Sequence, residues 1–427
     1  MHKAGRCGRL RPPHLLCHYH ADLSHALDLA TFSWLCSPAG TTLLAELAHH
    51  PLAETDLLPE LERLRRRFPP AFAAAALELT LLRRRAAAKF PHAERLFFIR
   101  EALEQASAAP VAAHRAARLV TYDRAVADLG CGIGGDTIAS ALAGAQVTAV
   151  DRDPLRLAIC QANLQALGLE QQVTLLCRDL LVEPPPSAHL LFCDPGRRRG
   201  GERRFSPEAY EPPLSHVLGW RLTTPALALK LAPGIDPELL PADAELEFVS
   251  LNGDLKEAAL WCGPLATTSR RATLLRTHPD GRVTTDTLVS ATQPVERVAR
   301  TRPPAAFLYE PDPAVIRAGL VRDLAHMLDA AQLDPQIAYL TAPEPTTSPF
   351  VRVWPVLTWL PFGLKRLRAV LRELEAGPIT VKKRGSPLDS DQLARQLSQA
   401  TGRPLVVVLT QSVGKPVAII CAPPLGR

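Results

Sequence analysis

The chain reads as an α/β protein: a doubly wound, mostly parallel sheet with a helical region before it and a compact α+β unit after it. Three observations predict this. Short apolar runs alternate with helical stretches from Ala125 to Arg276, the pattern of successive βα units. A glycine-rich turn, Gly130 to Gly135, stands between the first apolar run and the first helix. Residues 349–424 then follow a strand–helix–strand–helix–strand–strand order of their own.

Taken in order, residues 1–28 carry little pattern. They are basic, but His14, His18, His20 and Asp22 interrupt any apolar core, so a secretory signal is not expected. Cys7 and Cys17 with those histidines match no zinc spacing, and the segment reads as a loose extension. Residues 29–119 are helical. Leu58–Phe68, Ala71–Phe90, Ala93–Ser107 and Ala112–Leu119 place apolar residues at helical intervals, and Pro69, Pro70, Pro91 and Pro110 punctuate them. Arg83–Arg85 and Lys89 form a basic cluster, read as a solvated face with nucleic-acid contact as the sharper alternative. Residues 120–278 hold the sheet, with seven strands expected at Val126–Leu129, Gln146–Val150, Val173–Cys177, His189–Cys193, Pro225–Leu231, Glu245–Leu251 and Ala272–Arg276. Residues 279–342 are less patterned: a strand-like start at Phe307, a helix over Pro313–Ala330 and a strand at Ile337–Leu340. Ala342–Pro349 reads as a linker. The tail reads as strand Val351–Thr358, helix Gly363–Leu374, strand Ile379–Lys383, helix Asp389–Ala400, and two strands around a turn at Val413–Gly414.

Composition bounds the function. At roughly 100–200 residues per domain, 427 residues suggest about three domains. With 47% apolar and 22% charged residues, disorder as the main state is excluded. No run approaches the ~18 apolar residues of a membrane span. Nine cysteines lack paired spacing, which argues against a disulfide framework and for a reducing cytoplasm. Net charge is +6, from 41 Arg and 8 Lys against 43 acidic residues. That excess permits a nucleic-acid partner without demonstrating one.

The chemistry concentrates in Asp128-Leu129-Gly130-Cys131-Gly132-Ile133-Gly134-Gly135-Asp136-Thr137. Glycines between a strand and a helix let the backbone approach a ligand, and the helix N-terminus offers free N–H groups. Asp151 ends the next strand, where a carboxylate can accept both ribose hydroxyls. A nucleoside-containing cofactor follows. Gly130, Gly132 and Gly135 satisfy the dinucleotide spacing literally. Asp128 argues instead for S-adenosylmethionine, because a carboxylate suits a cationic amino-acid group and repels a pyrophosphate. Asp179, closing the third strand, is placed to receive the adenine amino group.

The segment Asp128–Asp136, with Val150-Asp151-Arg152-Asp153-Pro154 and Gln161-Ala162-Asn163, resembles class I S-adenosylmethionine-dependent methyltransferases. Lys89-Phe90, Glu101–Gln105, Asp194–Arg198, Lys230–Gly234 and Val381–Gly385 occur in order along the chain. Together they resemble the bacterial methyltransferases that carry a THUMP-like C-terminal domain, over roughly residues 31–424. The resemblance implies a Rossmann-like seven-stranded methyltransferase sheet, a small ferredoxin-like region at 279–342 and a THUMP-like domain at 349–424. With the residue reading above, S-adenosylmethionine is expected on Asp128, Gly130, Gly132, Gly134, Asp151 and Asp179, with no metal and no membrane, and the THUMP-like resemblance implies RNA (tRNA or rRNA) as the partner.

Asp194 follows the fourth strand, at the carboxyl end where substrates of such sheets sit. Methyltransferases of exocyclic amines hold Asp or Asn, two prolines and an aromatic there. This chain has Gly196 and arginines after Pro195, so the methylated atom stays open. Asp194 can orient an acceptor nitrogen or take its proton, and Arg197 and Arg198 suit phosphates. Lys230 either snorkels from its strand or reaches the site. Cys131 and Cys193 read as small buried residues, with a nucleophile conceivable. Glu101, Gln105, His114 and Arg115 are candidate pocket residues. Lys382, Lys383 and Arg384, after a strand, and Lys365, Arg366, Arg368 and Arg372, on the preceding helix, are candidate RNA contacts. Two other functions remain open at this stage: a methyltransferase of a protein or small acidic substrate, and a non-catalytic RNA-binding protein retaining the cofactor fold.

Overall fold

A computed structural model describes residues 27–51, 56–196, 198–199, 202–203, 206–291 and 300–425, with backbone only at 198–199 and 202–203. The cysteines and histidines of residues 7–20 lie outside these. The chain forms two compact units, one ending at Thr224 and the other beginning at Pro225.

In the first unit, α1 (Leu29–Cys36), α2 (Pro38–Ala48), α3 (Leu57–Arg65) and α4 (Pro70–Ala86) pack into one apolar cluster with Leu35, Leu43, Leu47, Leu64 and Leu77 at its centre. Each such buried leucine contributes roughly 1.5–3 kcal/mol. Asp28 caps α1 by accepting from the Thr31 amide at 2.7 Å, and Ser37 caps α2 just before Pro38. Two arginines of the basic cluster on α4 are bonded internally. Arg83 donates to the Leu96 carbonyl at 2.8 Å and lies over the Phe97 ring, and Arg84 donates to the His50 carbonyl. Those side chains therefore act as caps and braces within the unit.

Next come α5 (Arg100–Gln105) and α6 (Ala109–Tyr122). The βα units then run β1 (Ala125–Leu129), α7 (Gly135–Leu142), β2 (Gln146–Asp151), α8 (Pro154–Leu167), β3 (Val173–Cys177) and β4 (Leu190–Cys193). These four strands lie in the order β3-β2-β1-β4, all parallel, with Leu129 opposite both Val150 and Cys193. Asn163 of α8 ties the helical region to the glycine loop. Its side chain donates to the carbonyls of Phe97 (3.1 Å) and Ile133 (3.0 Å) and accepts from the Phe97 amide (2.7 Å). A short ribbon, β5 (Arg198–Arg199) against β6 (Glu202–Arg203), and α9 (Leu214–Gly219) follow β4.

The second unit opens with β7 (Ala226–Leu231), β8 (Glu245–Leu251), β9 (Asp254–Cys262), β10 (Arg270–Thr277) and β11 (Val283–Val289), ordered β7-β9-β8-β10-β11. The seven expected sheet strands are all present, and β9 and β11 are additional. β9 reverses tightly from β8 through Asn252-Gly253, both at positive φ, a turn signal the sequence carries. β11 pairs antiparallel with β10, so this sheet continues past residue 278, where the sequence suggested a boundary.

A second sheet contains β12 (Phe307–Pro311), β13 (Ala331–Asp334), β14 (Ile337–Ala342), β15 (Val351–Pro361), β16 (Ala376–Lys383), β17 (Arg403–Ser412) and β18 (Lys415–Cys421). Its order is β13-β14-β12-β15-β18-β17-β16. The region 307–342 is thus continuous with the tail rather than separate from it. The reason is the length of β15. Val351–Pro355 pairs with β12, and Val356–Pro361 pairs with β18. The single helix expected over Pro313–Ala330 is divided at Gly319 (φ 74°) into α10 (Pro313–Arg317) and α11 (Val321–Met327). One face of the tail is covered by α12 (Leu364–Glu373) and α13 (Ser390–Leu397), through Leu367, Leu371, Leu393 and Leu397.

Candidate active site

A cleft of about 240 Å³ opens in the first unit at the carboxyl ends of β1, β2, β3 and β4. Asp128, Gly130, Gly132, Asp151, Asp179 and Asp194 all line it. Each lies at the end of a strand or within the loop that follows one, which is why residues far apart in sequence converge here.

Asp128, the penultimate residue of β1, has only 1% of its surface exposed. The Thr137 hydroxyl donates to Oδ2, whereas Oδ1 is buried with no partner. Burial, reinforced by the nearby Asp136 charge, pushes its carboxyl up to about 7. An orphaned buried carboxylate oxygen facing a cleft is costly unless a ligand donates to it. Gly130 turns at φ 86°, and a Cβ there would stand 3.1 Å from the Asp194 carbonyl oxygen. Asp151 accepts the amides of Gly132 and Asp153, each at 2.9 Å, one on each oxygen. Each oxygen keeps a second lone pair for a hydroxyl. Asp179 accepts the Leu181 amide at 2.9 Å through Oδ1.

Gly134 is not among the lining residues. At φ 93° a Cβ would lie 2.7 Å from Cys160 Sγ, so its place is steric: it lets the loop pass over α8. Asp194 lines the cleft and its amide donates to Leu129 O at 3.3 Å. Arg197 lies outside the described residues, and Arg198 is described by its backbone in β5 alone.

Glu101 and Gln105 line the cleft, but His114 and Arg115 do not. Arg115 stands behind the wall, 2% exposed, bonded to Asp136 and to Ser107 Oγ (3.2 Å), its guanidinium 5.1 Å from the Phe192 ring centroid. Asp136, Ser107, Arg156, Arg178 and Glu211 also line the cleft, beyond the residues the sequence marks as candidates. Asp136 was legible, since it is the first acidic residue after the glycines. Lys89 Nζ donates to the Leu103 carbonyl at 2.9 Å and reaches Ala106 O at 3.4 Å, fixing the end of α5 at the cleft wall. Cys131 and Cys193 are both buried. A thiol contact with Cys160 and burial push the Cys131 thiol up, and burial pushes the Cys193 thiol up. Both are protonated at neutral pH, so neither is a ready nucleophile. Lys230 is buried in β7 of the second unit.

The strand-end cations of the second unit are engaged internally. Lys382 donates to both Glu310 carboxylate oxygens (2.8 and 2.6 Å) and sits 5.2 Å from the Trp354 ring centroid. Lys383 donates to the Leu388 carbonyl at 2.6 Å, and Arg384 lies over Tyr339 at 5.3 Å. The sequence could show their charge but not Glu310, 72 residues away, which neutralises Lys382.

The donor set fits S-adenosylmethionine. An unpaired buried carboxylate oxygen on Asp128 can take an ammonium and would repel a pyrophosphate, and Asp151 keeps lone pairs for two hydroxyls.

Comparison with known proteins agrees. The family model of RNA cap guanine-N2 methyltransferases matches residues 123–192, that of THUMP domain-like regions residues 351–423, and a domain of unknown function residues 28–86. A protein of Mycobacterium tuberculosis, described as an uncharacterised S-adenosylmethionine-dependent methyltransferase, is 38% identical over 345 residues, covering 78% of this chain and 91% of the relative. The crystal structure of a protein assigned as a methyltransferase from Porphyromonas gingivalis W83 shares the fold. Its TM-score is 0.65 at 21% identity, over 87% of this chain and 99% of that one. Fold and site define a class I methyltransferase. The chain belongs to the family of S-adenosylmethionine-dependent methyltransferases, with a THUMP-like C-terminal region. S-adenosylmethionine, when bound, supplies a methyl group on a sulfonium centre, and its departure as a neutral thioether calls for little acid–base assistance. The protein's part is to position and desolvate. Among the described residues no helix is long and apolar enough to cross a membrane, and no group of side chains forms a metal site.

Proposed function

We propose that this methyltransferase modifies RNA. The observation that carries the reading is the match to the RNA cap guanine-N2 methyltransferase model over residues 123–192, the stretch that supplies β1 to β4 and most of the cleft. The THUMP domain-like match over residues 351–423 and the net charge of +6 support it. In this reading Asp128, Gly130, Gly132, Asp151 and Asp179 hold the cofactor. Asp128 takes the ammonium through Oδ1, and Asp151 takes the ribose. Asp194 accepts a hydrogen from the acceptor nitrogen and so aligns its lone pair with the methyl group. Arg197 and Arg198, which follow Asp194 in the sequence, serve phosphate of the substrate by their charge. The work divides along the chain: residues 29–119 close the cofactor side, 120–278 carry the transfer, and the region beyond, through 424, holds the RNA. The reaction takes place in the cytoplasm, in keeping with seven free cysteines among the described residues.

The test is transfer of radiolabelled methyl from S-adenosylmethionine to total RNA from cells lacking the gene. The expected result is label in RNA, dependent on Asp194. Label in protein or small molecules instead, with RNA unlabelled, would overturn the RNA reading.

A further inference from the structure

We propose that the exposed face of α12 is the surface that takes the phosphate backbone of the RNA. The inference rests on the RNA reading above and adds where the chain grips it. Leu367 and Leu371 anchor the helix on the sheet. Lys365, Arg368 and Arg372 form one row at i, i+3 and i+7 along a solvent-facing flank of the helix, Arg366 lies about a quarter turn or more round from that row, and all four are exposed. None of the four makes an ion pair among the described residues; Arg372 donates its Nε to the Arg368 carbonyl at 3.3 Å, which leaves its charge unbalanced.

That arrangement works against the fold. Like charges at i, i+3 and i, i+4 cost a helix roughly 0.2–0.5 kcal/mol per pair. Lys365 and Arg366 also occupy the first turn, where the helix dipole disfavours cations, and that turn has no acidic residue and no side-chain cap. By contrast, the other cationic cluster of this unit has partners: Glu310 and Trp354 hold Lys382, the Leu388 carbonyl takes Lys383, and Tyr339 faces Arg384. A ridge of uncompensated cations is complementary to a row of phosphates, whereas the neutralised strand end is not. Arginine predominates on the ridge, which suits bidentate phosphate contact.

The experiment measures binding of unfractionated tRNA to the full chain between 50 and 200 mM salt. It compares the wild type with the triple variant Lys365→Gln, Arg368→Gln, Arg372→Gln and with Lys382→Gln. Each lost phosphate contact removes about 0.7–0.9 from the slope of log affinity against log salt, so the triple variant should lose about 2–3 and bind roughly tenfold or more weakly at low salt. Lys382→Gln should keep the wild-type slope. Glutamine is a good helix former and relieves the repulsion, so the triple variant should melt no lower than the wild type, which separates lost binding from lost folding. An unchanged slope in the triple variant, with tRNA bound, overturns this inference and leaves the RNA reading standing. No tRNA binding by the wild type overturns the RNA reading itself. Preference of the wild type for phosphatidylserine vesicles over tRNA, lost in the triple variant, overturns the assignment in favour of a membrane surface.

Discussion

Replacing Asp128 by Asn should stabilise the ligand-free protein above neutral pH while removing its grip on the cofactor. The carboxyl is raised from 3.8 in an unfolded chain to about 7 in the folded one, chiefly by burial. A folded pKa above the unfolded one means the folded state binds the proton more tightly. The group therefore costs nothing below about pH 4, and its cost grows as pH rises toward 7 and then levels off. About three pKa units at 1.36 kcal/mol each give about 4 kcal/mol above pH 7, against about 1.5 kcal/mol at pH 5. Asn keeps an acceptor for Thr137 and removes the charge. It adds an unpaired amide at a cost of about 1–3 kcal/mol, the same at every pH. The readout is thus the pH dependence. The stability of Asp128→Asn relative to the wild type should rise by about 2–3 kcal/mol between pH 5 and pH 8, measured by denaturant unfolding of the ligand-free proteins. Parallel curves for the two proteins across that range would refute the reasoning.

Three further outcomes follow from the geometry. Lys89→Met leaves the carbonyls at the end of α5 without their donor and should weaken S-adenosylmethionine binding severalfold, read by calorimetry, although Lys89 is not among the residues lining the cleft. Gly134→Ala combines a left-handed backbone with a contact of 2.7 Å to Cys160 Sγ and should lower stability by about 2 kcal/mol or more in thermal unfolding. Val413→Asn should stabilise the second unit by about 1 kcal/mol in the same assay. Val413 holds φ 49° ahead of Gly414 in a two-residue turn that asparagine favours, and its side chain is exposed.

The βα alternation and the glycine loop made the first four strands readable, because burial on both faces writes continuous apolar runs such as Leu190–Cys193. β11 was harder to see. Its residues Val283–Val289 are mostly threonine and aspartate and alternate exposed with half-buried positions, the pattern of an edge strand with few apolar residues. The union of residues 307–342 with the tail depends on which half of β15 pairs with which neighbour, and no local pattern specifies that. In the cleft, the strand-closing carboxylates were legible from position alone. Nothing local in the sequence marks Lys89 as a pocket support, because its carbonyl partners are distant in sequence. Gly134 matched the cofactor spacing yet serves packing, since spacing cannot distinguish a glycine that faces a ligand from one that avoids a sulfur atom. Charge alone likewise pointed to Lys382, and only the fold reveals Glu310 beside it.

The most direct test of the cofactor site is calorimetric titration of S-adenosylmethionine into the wild type and Asp128→Asn at pH 8 and pH 6. Wild type should bind one equivalent. Its affinity should fall roughly tenfold at pH 6, where a group titrating at about 7 is about nine-tenths protonated. Asp128→Asn should bind roughly ten- to a hundredfold more weakly at pH 8, the loss of one charge-assisted contact, and show little pH dependence. Equal affinities for the two proteins at pH 8 would contradict the account.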